Sequence, residues 1–368
     1  MKVASFFTGC GGLDLGVMAA LRLAGQQPEH ILMCESDPYA QSVLDRHFPG
    51  VTILDDVRTS FKGKDIWADL VVAGFPCQDL SRAKRDKEGL KGERSGLFYD
   101  LCDRIRELDA QYVILENVEN ILRYEHLTPV LDELTSMGFT VEWSTISAQE
   151  VGAPIMRKRW FAFCHKTDRI KVHHFMGQPY WKAHHDESPG MRYPKHGSVR
   201  PSGSVFAIDR PIHKDRPVTW PAPAASCPNW DEGPATWLRR AAKCYQKGQY
   251  TGIPLTMAVR LGANWRHKQS TMRKDPSLIT DDQWTQSQWF NPNWGDRLMG
   301  FPGGWTEPAP GCPSQASNAN FSGHWLTKWD WGRRVQSEKK DDIPHRLRML
   351  GNAVVPQQAF EFARNIRW

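Results

Sequence analysis

Cys77 stands in the run Gly74-Phe75-Pro76-Cys77-Gln78-Asp79-Leu80-Ser81, directly after the apolar stretch Asp69–Ala73. A thiolate is a strong nucleophile, and nearby positive charge lowers the pKa of its thiol. Most lone cysteines are inert core fillers. A cysteine on a proline-bent loop at a strand end, beside a glycine, is a better candidate for chemistry. Glu116 opens Glu116-Asn117-Val118 after a second apolar stretch, Tyr112–Leu115. In an apolar setting such a glutamate can act as an acid; a glutamate satisfied by backbone is the plain alternative. Arg157-Lys158-Arg159 precedes a third stretch. Arginines two apart on an extended segment point the same way, so they could hold an anion or a base edge, or form only a surface charge cluster.

A second group of residues suits a nucleoside. Phe7-Thr8-Gly9-Cys10-Gly11-Gly12 follows the first apolar run. Glycines there let the backbone approach a ligand and aim its amides at it, although a structural turn fits the glycines alone equally well. Glu35 ends the second predicted strand, where an acid can bind ribose hydroxyls. Asp56 follows the third apolar run and could accept from an adenine amino group. No phosphate-binding lysine motif accompanies them.

These residues need a frame. Lys2–Phe7, His30–Cys34, Asp69–Ala73 and Tyr112–Leu115 read as strands. Gly12–Ala24, Pro38–His47, Leu97–Leu108 and Leu127–Met137 read as helices between and after them. Phe139–Ile146 and Trp160–His165 read as later strands. Alternation of this kind implies an α/β fold: a mostly parallel sheet with helices on both faces. Such sheets bind ligands beyond the carboxyl ends of their strands, where the candidate residues fall.

Beyond Thr167 the texture changes. Residues 1–165 hold 18 Lys+Arg against 24 Asp+Glu, whereas residues 166–368 hold 29 against 17, so the halves carry −6 and +12. Twelve of the 16 tryptophans fall between Trp181 and Trp331. A basic, aromatic-rich half suits phosphate contacts, although a solvated basic face explains the charge alone. Trp237–Gln246 and Pro254–Leu261 read as short helices, and Pro356–Ile366 returns to helix. The eight cysteines form no CxxC pair, which points to a reducing compartment. His173, His174, His184, His185, His196 and His213, with Cys227 and Cys244, match no common zinc spacing, so no metal is expected. Asp14 and four glycines interrupt the apolar start, unlike a signal peptide. No apolar run approaches the ~20 residues of a membrane span.

FFTGCGGLDLG, GFPCQDLS, ENVEN, GAPIMRKR and RLRMLGNAVVP resemble, in identity and order, the motifs of DNA cytosine-5 methyltransferases. Trp294–Trp305, with RLMGFPGGW, is similar to a divergent form of a further motif found in phage-type members. The resemblance implies a Rossmann-like fold dependent on S-adenosylmethionine (SAM), plus a smaller loop-rich target-recognition domain. It implies residues 1–166 as catalytic domain, 167–290 as target-recognition domain, 291–343 as divergent motif and insert, and 344–368 as a segment returning to the catalytic domain. Phe7, Gly9, Gly11, Gly12, Glu35, Asp56, Val57, Pro76 and Leu97 would line the SAM site, closed by Asn352 and Val354. Cys77 would be the nucleophile and Glu116 would contact the ring nitrogen at position 3. Arg159, and less directly Arg157, would hold the flipped base and the Cys77 loop; Ser81 would touch DNA.

Two positions depart from the pattern. Ser5 stands where an acid is common, and Ile155 replaces the glutamine of QxRxR, which bears on loop packing and base positioning. The implied partners are double-stranded DNA and SAM, with no membrane. The implied state is a monomer in the cytoplasm of a bacterial or phage-infected cell, associated with the nucleoid. A tRNA methyltransferase on the same scaffold and a catalytically silent DNA-binding regulator are the alternatives. The large basic insert argues against the first, and the intact Cys77, Glu116 and Arg159 against the second.

Overall fold

The computed structural model describes residues 1–76, 96–153, 155–166, 179–181, 195–199, 205–207, 220–223, 234–249, 253–261, 265–279, 289–307, 335–336, 343–366 and 368. Cys77, Ser81, Cys227 and the expected histidines other than His196 lie outside the described residues. The chain divides into two units. The first holds Met1–Val151, Lys158–Asp215 and Val354–Trp368; the second holds Gly152–Arg157 and Arg216–Ala353. The division differs from the expected boundary at 166 and 167: strands beyond His165 join the first unit, and residues 291–353 lie in the second.

The first unit is built on a sheet of ten strands among the described residues: β1 (Lys2–Phe6), β2 (Glu29–Cys34), β3 (Thr52–Leu54), β4 (Leu70–Ala73), β5 (Tyr112–Val118), β6 (Thr140–Ser147), β7 (Lys158–His165), β8 (Pro179–Trp181), β9 (His196–Val199) and β10 (Val205–Ala207). Their order is β3-β2-β1-β4-β5-β7-β6-β9-β10-β8. β3, β2, β1, β4 and β5 pair in parallel. β7 is inserted antiparallel between β5 and β6, and the ladders beyond it are antiparallel.

The central strands are continuous apolar runs because both faces are covered. Alternate side chains go to opposite faces. Ala4, Phe6, Val71, Ala73, Val113 and Leu115 join one buried cluster, while Val3, Leu70, Val72 and Ile114 join another. Helices α3 (Leu97–Glu107) and α4 (Tyr124–Ser136) cover the first face. Helix α1 (Gly12–Leu23) and the C-terminal helix Pro356–Ala363 cover the second. Gly16 lets those two helices touch: a Cβ there would lie 2.2 Å from the Pro356 carbonyl oxygen and 2.6 Å from Ala359 Cβ. Helix α2 (Pro38–His47) begins at Asp37, whose side chain caps the Tyr39 amide, with Pro38 at the first turn.

In the second unit, helices α5 (Pro234–Gln246), α6 (Leu255–Leu261) and α7 (Trp265–Lys274) pack together. Helices α8 (Pro292–Leu298) and α9 (Ile343–Asn352) are joined by a buried polar network. Asp296, fully buried, accepts from Gly304 N at 3.0 Å and Thr306 Oγ1 at 2.6 Å, and pairs with Arg346 Nη2 at 2.7 Å. Arg346 Nε donates to Thr306 Oγ1 at 2.8 Å. The segment Trp294–Trp305 is thereby fixed by a carboxylate and a guanidinium that satisfy each other, the condition for burying either charge. No helix among the described residues is long and apolar enough to cross a membrane.

Candidate active site

The carboxyl ends of β1, β2, β4 and β5 gather the candidate residues of the first unit. At β1, Phe7 has φ 55°, Gly9 58° and Gly11 82°. The left-handed conformation costs a non-glycine residue roughly 1–2 kcal/mol, so the strain at Phe7 marks a turn imposed by its surroundings. Thr8 secures that turn: its amide donates to the Cys34 carbonyl at 3.1 Å, and its hydroxyl lies 3.0 Å from Ser5 Oγ. Ser5, where an acid was the common residue, is thus a buried hydroxyl partner of the turn. Gly11 precedes helix α1 and leaves room for Phe48, whose ring would lie 3.0 Å from a Cβ. The N-terminus of α1, the positive end of its dipole, faces this loop.

Glu35 follows β2. Its Oε2 accepts from Gly9 N at 2.7 Å and its Oε1 from Asp37 N at 2.9 Å, so the carboxylate is held in place beside the loop. Asp56 follows β3 and takes a forked contact from Arg58, with Nη2 2.7 Å from Oδ2. Those hydrogen bonds hold its carboxyl below the ordinary carboxylate value. Val57 is buried in the core, and half-buried Leu97 packs against that core. The loop 56–61 is anchored on α3: Arg104 Nη1 donates to the Arg58 carbonyl at 3.2 Å, and Glu107 accepts from Phe61 N at 2.7 Å.

β4 and β5 bring the second group together. Glu116, 7% exposed, pairs with Arg159 through Oε1 and Nε at 2.8 Å. The register of β5 and β7 sets Val118 opposite Arg159 and Glu116 opposite Phe161, so acid and base are diagonal neighbours on one face. Burial pulls the Arg159 pKa down, against the pull of Glu116. Gly74 follows β4 in a tight place: a Cβ there would lie 3.1 Å from Glu116 Oε2 and 3.8 Å from the Phe7 carbonyl oxygen. The carboxylate and the glycine loop therefore flank the same residue, three positions before Cys77. Asn117, quoted in the sequence motif without a role of its own, donates from Nδ2 to the Phe75 carbonyl at 2.8 Å and accepts from Val118 N at 2.9 Å. It ties β5 to the stretch leading into Cys77; half-buried Pro76 is the last described residue of that stretch.

Two buried cysteines are unlike a nucleophile. Burial, with Glu35 adding to it, pushes the Cys34 thiol up to about 12, and burial pushes the Cys164 thiol well above its ordinary value. His196 lies in β9, with Nδ1 2.8 Å from Ser144 Oγ. Within the second unit, Arg157 is 5% exposed and donates to the carbonyls of Gly351 and Ala353. These two partners are backbone, whereas Arg159 takes the carboxylate. Ile155 is fully buried and bridges to Trp220, whose ring meets that of Trp294 at 5.3 Å. A fully buried apolar side chain thus occupies the position where glutamine is usual. Asn352 ends α9, and Val354 in the first unit lies in the buried cluster that includes Leu13 and Val17 of α1.

The sheet order with its inserted antiparallel strand, together with the glycine loop and Glu35, defines the α/β class of this unit. The chain belongs to the C-5 cytosine-specific DNA methylase family, whose model matches residues 1–319. Over 169 residues it is 41% identical to the type II methyltransferase M2.BsuMI of Bacillus subtilis (strain 168), covering 43% of this chain and 40% of that protein. It is 30% identical over 169 residues, with the same coverage, to the type II methyltransferase M.NgoBV of Neisseria gonorrhoeae. The chain thus spans about two-fifths of the length of these curated relatives. Its fold is similar to that of a Spodoptera frugiperda DNMT2 mutant, with TM-score 0.57, 16% identity, and 99% and 98% of the two chains covered.

Proposed function

We propose that this protein transfers a methyl group from SAM to carbon 5 of a cytosine flipped out of duplex DNA. The observation that carries the reading is the meeting at Gly74, where the Glu116 carboxylate and the Phe7 carbonyl of the glycine loop flank the residue that leads into Cys77. An acid, a nucleoside-binding turn and a thiol-bearing loop are the three parts this chemistry needs.

Carbon 5 of cytosine is a poor nucleophile. Attack of the Cys77 thiolate on carbon 6 breaks the aromatic conjugation and turns carbon 5 into an enamine-like carbon. Charge develops on the ring nitrogen at position 3, and Glu116, in its protonated form, stabilises it by donating a hydrogen bond there. Arg159 holds Glu116 in register for that contact. When bound, the cofactor would supply an electrophilic methyl group to carbon 5, its sulfonium keeping the bonding pair as a neutral thioether. Loss of the carbon 5 proton and expulsion of Cys77 then restore the ring. The thiolate approaches perpendicular to the ring, which a stacked base cannot allow, so the base leaves the helix at a cost on the order of a few kcal/mol.

The residues suit SAM. Glu35, already accepting two amides, retains lone pairs for ribose hydroxyls. The left-handed turn at Phe7, Gly9 and Gly11 exposes backbone to the ligand, and Asp56 is ionised for an amino donor. Val354 closes the site in this reading, and Ser81 touches DNA. Arg157 acts at one remove, through the backbone it holds. The second unit reads the target sequence. In this reading the protein works as a monomer associated with the nucleoid; size-exclusion chromatography checks the first point.

One assay tests the reading: labelled SAM with duplex DNA or tRNA, using wild type and Cys77→Ser. Label should appear on DNA and vanish in the variant, and 5-fluorocytosine at the target should trap a covalent adduct through Cys77. Label confined to tRNA, or DNA binding without any label, would overturn it.

A further inference from the structure

Between Glu232 and Asp275 the sequence holds nine Lys and Arg and no acidic residue. Helix α5 lies in this stretch and is two-faced. Trp237, Leu238, Ala241 and Ala242 are buried, whereas Thr236, Arg239, Arg240, Lys243 and Lys247 are exposed. At 3.6 residues per turn, those five positions fall within about 100° of arc. Arg239, Lys243 and Lys247 step along it about 6 Å at a time. The stripe ends at Lys247, the residue directly after the helix, followed by Gly248 with φ 71°.

A face of this composition has no apolar partner to seek. Its charge is of one sign, and the sequence of the neighbouring helices α6 and α7 adds Arg260, Arg266, Lys268, Arg273 and Lys274 and no acid. The complementary partner is a regular array of negative charge. Duplex DNA carries one charge per about 1.7 Å of its axis, so the roughly 12 Å from Arg239 to Lys247 can run beside several phosphates.

We propose that the exposed face of α5, formed by Arg239, Arg240, Lys243 and Lys247, docks the phosphate backbone of duplex DNA. The inference rests on the proposed function and assigns it a surface. These contacts position the DNA and carry no sequence information. They act equally on bound substrate and on the transition state, so they govern DNA affinity and leave turnover alone.

The test is the salt dependence of DNA binding and methylation by the full chain. The variant carries Arg239→Gln, Lys243→Gln and Lys247→Gln, which keep helix propensity. A control removes the same charge from exposed sites of the first unit: Arg22→Gln, Lys62→Gln and Lys64→Gln. Each phosphate left without its cation lowers the magnitude of the log–log salt slope by about 0.9, so the α5 variant should lose about 2 to 3. Its KM for DNA should rise with kcat at saturating DNA unchanged. The control should keep the wild-type slope. An unchanged slope in an α5 variant that melts like wild type overturns the docking surface while leaving the methyltransferase reading intact. A fall of kcat at saturating DNA overturns it too, because the face would then act on the reaction. Wild-type protein that neither binds nor methylates duplex DNA removes the functional reading itself.

Discussion

The ion pair of Glu116 and Arg159 should dominate both stability and activity, and a double-mutant cycle measures it. The two side chains are 10% and 12% exposed and 2.8 Å apart. Arg159→Leu leaves a buried carboxylate without its cation. Breaking one partner of such a pair costs about 3–5 kcal/mol. At about 2–4 °C per kcal/mol for a unit of this size, the melting midpoint should fall by roughly 6–20 °C. Glu116→Gln keeps the shape and a neutral acceptor but leaves a buried cation, whose charged form burial already disfavours. Combining Glu116→Gln with Arg159→Leu removes both charges. The double variant should therefore be more stable than the sum of the single effects implies, by about 1–3 kcal/mol. Thermal melts of the four proteins give the coupling, and methyl transfer to DNA should be abolished in all three variants. Additivity within about 0.5 kcal/mol would refute the reasoning.

Other expectations follow from neighbouring groups. Cys34 and Cys164 should resist iodoacetamide at pH 8 while Cys77 reacts and its modification abolishes activity; peptide mapping decides, and fast labelling of Cys34 would contradict its high pKa. Gly16→Ala forces a Cβ into the Pro356 carbonyl, so it should destabilise by about 1–3 kcal/mol or more, read by melting. Asn117→Ala strands the buried Phe75 carbonyl, at a cost of about 1–3 kcal/mol at the Cys77 loop. It should lower kcat more than it raises KM for SAM. Arg58→Ala releases Asp56, whose depressed pKa should rise toward its ordinary value. An ionised Asp56 favours SAM above its pKa and loses it as pH falls through it. The acid limb of SAM binding should therefore move to higher pH, and a limb that stays put would remove Asp56 from the site.

Much of the first unit was legible because its grammar is local. Buried parallel strands must be continuous apolar runs, so β1, β4 and β5 stood out, and helix α2 starts at the Asp37-Pro38 signal and spans the predicted residues. A ligand edge follows such strands, and Glu35, Glu116 and the glycine loop all lie there. What remained hidden depends on partners distant in sequence. β7 enters antiparallel between β5 and β6, and only that pairing brings Arg159 to Glu116. Gly74 and Asn117 stand in quoted motifs, yet what their positions do is set by the neighbours they meet. Gly16 reads locally as a helix interruption, yet it is the contact point of a helix 340 residues further along. In the Trp- and Pro-rich half the helices at Trp237–Gln246 and Pro254–Leu261 were legible, whereas α8 and α9 are tied together by the buried pair of Asp296 and Arg346, distant in sequence. Residue types and strand ends are written in neighbouring letters, whereas ion pairs and close approaches require the chain to choose which distant segments meet.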